Sequence, residues 1–176
     1  MFDRGALLRQ HAGEMLALER QILDALDGQV ELEPVRRRPR TQNLIGRAAA
    51  VARKHYATLE QYEATVGAEP ASPLRRAAES VAATLAGLGA RVREDAVSRL
   101  LRDDYTALSL AAVSYIVLHT VGLALKDDRL AGLSREHLRD LTPIIGEIGA
   151  AIPSLVALEL AEAERAAAEP AAALPG

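Results

Sequence analysis

The chain reads as an all-α protein built from four long helices and one short one. Apolar residues recur at three- and four-residue spacings through five separate stretches. No stretch alternates with the period of two that a half-buried strand needs. Helix starters and breakers fall between the stretches, the last stretch excepted. With 176 residues, 49% of them apolar and 26% charged, one domain with a sizeable core is expected. It is assigned to residues 1–165, and a low-complexity Ala/Pro tail at 166–176 is expected to be flexible.

The first helix is expected from about Asp3 to Leu26, with Leu8, Met15, Leu18, Ile22 and Ala25 at seam spacing and a stop at Asp27-Gly28. A loop, GQVELEPVRRRPR, follows, because its prolines block helix continuation. The second long helix starts near Thr41 and ends at Gly67, with Ile45, Ala48, Ala52, His55, Leu59, Tyr62 and Val66 on one stripe. Ser72-Pro73 is a favourable N-cap and N1 pair for a short Ala-rich helix that Gly87 and Gly89 end. The segment VREDAVSRLLRDDYTALSL leads into a stretch without formal charge, Tyr105 to Leu125. The last helix starts near Ser134, and Pro143 and Pro153 should kink it or divide it at Thr142.

Twenty-one uncharged residues reach about 30 Å as a helix, enough to cross a bilayer. This stretch holds Thr106, Ser109, Ser114, Tyr115, His119 and Thr120, with Asp103 and Asp104 before it and both signs of charge after it. No membrane span is therefore expected, and the segment is taken as the central helix of a bundle, buried on all sides. Four long helices with a long crossover between the second and third suit a ferritin-like four-helix bundle with an additional short crossover helix.

Composition narrows the function. A formal charge of −3, with four Tyr, one Phe and no Trp, argues against a nucleic-acid binder. The absence of cysteine excludes disulfides, thiolate metal sites and cysteine nucleophiles. The N-terminal stretch MFDRGALLRQHAGEML carries charges at short intervals and offers no apolar core for a secretory signal, so a cytoplasmic location is expected. There is no G-x-S-x-G, no Gly-rich phosphate loop and no H-E-x-x-H, so an enzyme built on a recognisable local motif is not expected. The Arg36–Arg40 loop holds the dense basic cluster; it reads as a solvated loop that could dock an acidic partner or phosphate.

Glu19 is the residue that breaks the pattern, since its same-face neighbours are Met15, Leu16, Ile22 and Leu23. A buried carboxyl needs a hydrogen-bonding partner or a raised pKa. His11, His55 and His119 each fall in an apolar stripe on a different helix. Counted at 1.5 Å per residue they lie roughly 11–16 Å from one end of the bundle. With Glu14 one turn from His11, they and Glu19 are the candidate metal ligands, for iron, manganese or zinc. The small residues Ala111, Ala112, Ser114 and Gly122 suggest close helix packing or, less simply, an apolar ligand cavity.

The stretch LALERQILDAL resembles the first-helix signature of the bacterial ferritin-like stress proteins of the YciE/YciF type. HYATLEQYEATVG is similar to that family's second helix, and DDYTALSLAAVSYIVLHTVGLAL stands where its third belongs. The resemblance covers residues 5 to 160 in helix order and implies that Glu19 matches the family's first metal ligand. Where the family places Glu-x-x-His, this chain has Thr58 and Gln61 or Tyr62, and on the third helix Tyr115, Ile116 and Leu118. What the resemblance implies is a degenerate di-metal site in a non-catalytic, stress-associated or structural protein without a cofactor. The alternative is a metal-binding oxidase or iron-handling protein using a core His/Glu site. A homodimer through helix faces is expected.

Overall fold

The computed structural model describes residues 3–66 and 96–168, which are all-helical and contain no strand. The helices are α1 (Arg4–Val30), α2 (Glu33–Arg36), α3 (Pro39–Val66), α4 (Val97–Ala124) and α5 (Asp128–Ala168). The short helix expected from Ser72 lies outside the described residues, as does the end of the tail, 169–176; α5 itself runs past Arg165 to Ala168.

Local chemistry sets the boundaries. The Asp3 carboxylate accepts from the Ala6 amide at 3.0 Å and starts α1. The helix runs through Gly28, where a stop was expected, to Val30. One glycine costs about 1 kcal/mol, which the packed face of α1 outweighs. In that face Leu26 is buried and Ala25 is exposed, the reverse of the expected seam. The Arg-rich loop contains the one-turn α2, with a proline in its first turn, and Pro39 stands at the first position of α3. Five of the seven residues on the expected α3 stripe, from Ala48 to Tyr62, are at most 1% exposed, and Ile45 is fully buried. The stripe's last residue, Val66, is only half-buried.

The last helix is not divided at Thr142. It continues as one 41-residue helix through Pro143 and Pro153. Both prolines lie on the exposed side, where the carbonyl that each deprives of an amide donor can bond to water.

The four long helices pack so that α1 and α5 each lie against both α3 and α4. Cross-helix bonds give their directions. Arg4 donates to the Lys126 carbonyl, Tyr115 to Glu19 and Gln29 to Asp104, so α1 and α4 are antiparallel. Arg38 bonds Glu162, Arg47 bonds Glu147 and Lys54 bonds Asp140, so α3 and α5 are antiparallel too. A tight turn reverses the chain between α4 and α5, so those two are antiparallel as well and α3 and α4 run the same way. A continuous apolar core, from Leu8 and Met15 on α1 to Ile148 and Leu155 on α5, fills the space between them.

The α4–α5 turn is tight. Lys126 takes the left-handed conformation, φ 53°, while the Asp127 amide bonds back to the Gly122 carbonyl at 2.8 Å. Asp127 then does two things: Oδ1 accepts from the Leu130 amide to cap α5, and Oδ2 accepts from the Tyr62 hydroxyl at 2.9 Å. A Cβ on Gly122 would come within 2.6 Å of the Ala131 nitrogen, so this small residue serves close backbone approach.

One expectation about α4 is overturned. The helix is not buried all round: Leu110 (38%), Val113 (58%), Ile116 (54%), Val117 (49%) and Leu123 (57%) are exposed. Among the described residues each long helix packs mainly on two other long helices, which cover only the face turned toward them. By length and composition α4 and α5 could each cross a membrane, so the uncharged stretch is not alone in passing that test.

Candidate functional site

Each long helix contributes one polar side chain to a single buried layer. These are Glu19 from α1, His55 from α3, Tyr115 from α4 and His137 from α5, none more than 1% exposed. Each stands on its helix's apolar stripe, so the packing that builds the core brings the four together.

Glu19 Oε1 is the hub. It accepts from the Tyr115 hydroxyl at 2.7 Å and lies 3.1 Å from His55 Nδ1. Burial, reinforced by Glu19, holds the Tyr115 phenol well above its usual pKa, so Tyr115 stays a donor. The imidazoles of His55 and His137 stack at 3.9 Å between centroids and 14° between planes, and Tyr115 meets both edge-on. Burial pushes His137 down to about 3, with His55 and then Lys54 adding to the effect and Asp140 opposing it; at neutral pH this ring is uncharged. At the solvent edge, Lys54 bonds Asp140 at 2.7 Å and holds its carboxyl below the usual range. Asp140 lies 3.5 Å from His55 Nε2, too far for a good hydrogen bond. Three buried atoms of the layer have no hydrogen-bond partner among the described residues: Glu19 Oε2, His55 Nε2 and His137 Nδ1.

Of the residues marked in the sequence, the structure brings Glu19 and His55 together. His11 pairs with Glu14 on its own helix at 3.7 Å, partly exposed, and His119 Nδ1 lies 2.8 Å from the Ala131 carbonyl. Similar heights along the bundle do not bring three histidines together, because rotation about each helix sets the direction in which each ring points. His137 is not among the residues that the sequence marked; its signal is the run Leu130, Ser134, His137, Leu141, Ile144, Ile148, at seam spacing and buried throughout.

Among the described residues no three His, Asp or Glu side chains are arranged to hold a metal ion. The stacking explains why. Imidazole lone pairs lie in the ring plane, and two nearly parallel rings send theirs along separate planes rather than to one point about 2 Å away. As arranged, the layer does not fit a metal centre; it fits a hydrogen-bonded core.

A second buried carboxyl joins the same two helices nearer one end. Asp104 on α4 is 4% exposed, accepts from Gln29 Nε2 of α1 at 2.8 Å, and leaves Oδ2 without a partner among the described residues. Burial pushes its pKa up to about 7 against the Gln29 bond, with Asp103 adding repulsion. In the basic segment, Arg37 pairs with Glu33 and Arg38 with Glu162, while Arg36 and Arg40 have no carboxylate partner among the described residues.

Compared with protein-family models, curated proteins and solved structures, the chain matches none.

Proposed function

We propose that this chain is a non-catalytic, ferritin-like four-helix-bundle protein with a structural or stress-associated role, located in the cytoplasm. In this reading a hydrogen-bonded layer occupies the place of a di-metal site. The observation that carries it is the use of Glu19: its Oε1 is taken up by a phenol and an imidazole. The parallel course of α3 and α4 supports the ferritin-like reading, since it is what a long crossover between the second and third main helices requires.

A second reading, a metal-binding oxidase or iron-handling protein, is favoured by the three unpartnered buried atoms at Glu19, His55 and His137. One experiment separates the two. The full chain, purified without chelators, is analysed for metal by mass spectrometry and assayed for ferrous-iron oxidation, beside Glu19→Ala. Absence of stoichiometric metal and iron oxidation no faster than buffer is the expected result. Iron, manganese or zinc at one or two equivalents, lost in Glu19→Ala, would replace the first reading with the second.

A further inference from the structure

We propose that Asp104 and Gln29 form a proton-dependent latch between α1 and α4, closed as a two-bond acid–amide ring when the carboxyl is protonated and loosened when it ionises. Glu19 stands ten residues back along α1, about 15 Å away, so the inference does not depend on whether the central layer holds a metal.

Half of the ring is present. Gln29 Nε2 donates to Asp104 Oδ1 at 2.8 Å. The other two polar atoms of the same pair, Gln29 Oε1 and Asp104 Oδ2, are both buried and have no partner among the described residues. Each is an acceptor when the carboxyl is ionised, so neither can satisfy the other. A proton on Oδ2 changes that: the acid O–H donates to Gln29 Oε1, and one bond satisfies two orphaned atoms. Acid and amide are planar groups of matching width, so the second bond forms beside the first once their planes align.

The charges around the pair favour the proton. Asp104 is bound at the last turn of α1, where the carbonyl end of the helix is partly negative and no basic residue offsets it. On α4 it is the eighth residue, beyond the reach of that helix's positive end. Asp103 adds repulsion, although Arg102 bonds it, and no cation of the described residues pairs with Asp104. The remaining charged groups of the packed elements are engaged elsewhere or exposed. Asp27 of α1 bonds Arg53 of α3, Glu33 and Arg37 of α2 bond each other, and Glu31 is exposed. Glu159 of α5 is held by Ser98, six residues back on α4, while Gln42 of α3 is neutral and bonds the Val30 carbonyl. What the latch steadies is the end of α1, where the chain enters the connector that carries Arg36 to Arg40.

Nuclear magnetic resonance of the isotope-labelled full chain tests this. The Asp104 carboxyl carbon should titrate at about 7, and the Gln29 side-chain amide protons should move with the same midpoint. Backbone amide exchange in the last turn of α1, corrected for its intrinsic pH dependence, should rise about tenfold per pH unit from about pH 4 to 7 and level off above, because the opened carboxyl ionises first. Asp104→Asn closes the same ring with an amide and should abolish this dependence. Adding Gln29→Glu to that variant moves the acid to α1 and the amide to α4, without a change of shape, and should restore it. A double variant as flat as Asp104→Asn would overturn the ring. Gln29 amide signals that stay still while Asp104 titrates would overturn it too, and an Asp104 midpoint at the ordinary carboxylate value of about 4 would overturn the latch itself.

Discussion

Glu19 and Asp104 are both buried carboxyl groups between α1 and α4, yet their surroundings differ in kind. Glu19 lies in the middle layer, where Tyr115 and His55 converge on one oxygen. Asp104 lies near the end, with a single amide donor and another aspartate next to it in sequence, while in both groups the second oxygen has no partner among the described residues. Burial is nearly the same, so the number of donors rather than depth decides whether a buried carboxyl ties two helices together or strains against them.

Several changes would break or sharpen that contrast. Glu19→Ala should be the most damaging, at about 3–5 kcal/mol, because it leaves the Tyr115 hydroxyl and a His55 ring nitrogen buried without their acceptor. Denaturant unfolding at neutral pH measures it, and a loss below 1 kcal/mol would end the structural account of the layer. Asp104→Asn should act in the opposite direction. The folded pKa, about 7, lies above the unfolded 3.8, so the stability tied to the protonated acid is present below pH 4 and lost as pH rises through 7. The variant should therefore gain up to about 4 kcal/mol over wild type at pH 8 and nothing at pH 3.5. Equal effects at both pH values would mean that the carboxyl does not titrate in the fold.

His137 supplies the acid-side counterpart. Its folded pKa, about 3, lies below the unfolded 6.5, so stability should fall as pH drops from 6.5 toward 3, by about 2–3 kcal/mol at pH 4.5. His137→Gln should flatten that limb; a limb left as steep would assign it to other groups. Tyr115→Phe keeps the ring and removes one donor from Glu19, for a loss of about 1–2 kcal/mol. At the small end, Arg53→Ala removes an exposed ion pair with Asp27 and should cost under about 1 kcal/mol, diminishing with salt.

Glu19 was legible in the sequence because a carboxylate inside an apolar stripe is a visible conflict. Its partners were only partly legible. Periodicity places His55 and His137 on core faces, but which of four histidines meet depends on rotation about each helix, which spacing alone does not fix. Asp104 was not legible, since beside Asp103 it resembles the charged lead-in to an uncharged helix, and its burial depends on Gln29 arriving from another element. The all-α class and the α3 stripe followed from periodicity. The exposed face of α4 did not, because an all-round apolar helix looks the same whether two neighbours or four surround it.

The bond from Tyr62 to Asp127 has a consequence for the order of assembly. Asp127 is held in place by the tight turn between α4 and α5 and by capping α5. The phenol at the far end of α3 finds its acceptor there only once that turn has closed. The α4–α5 hairpin, made of contacts local in sequence, would then fold first and present a finished docking point to the α1–α3 pair. On that route Tyr62→Phe speeds unfolding and leaves the folding rate nearly untouched, as befits a contact made after the barrier is crossed.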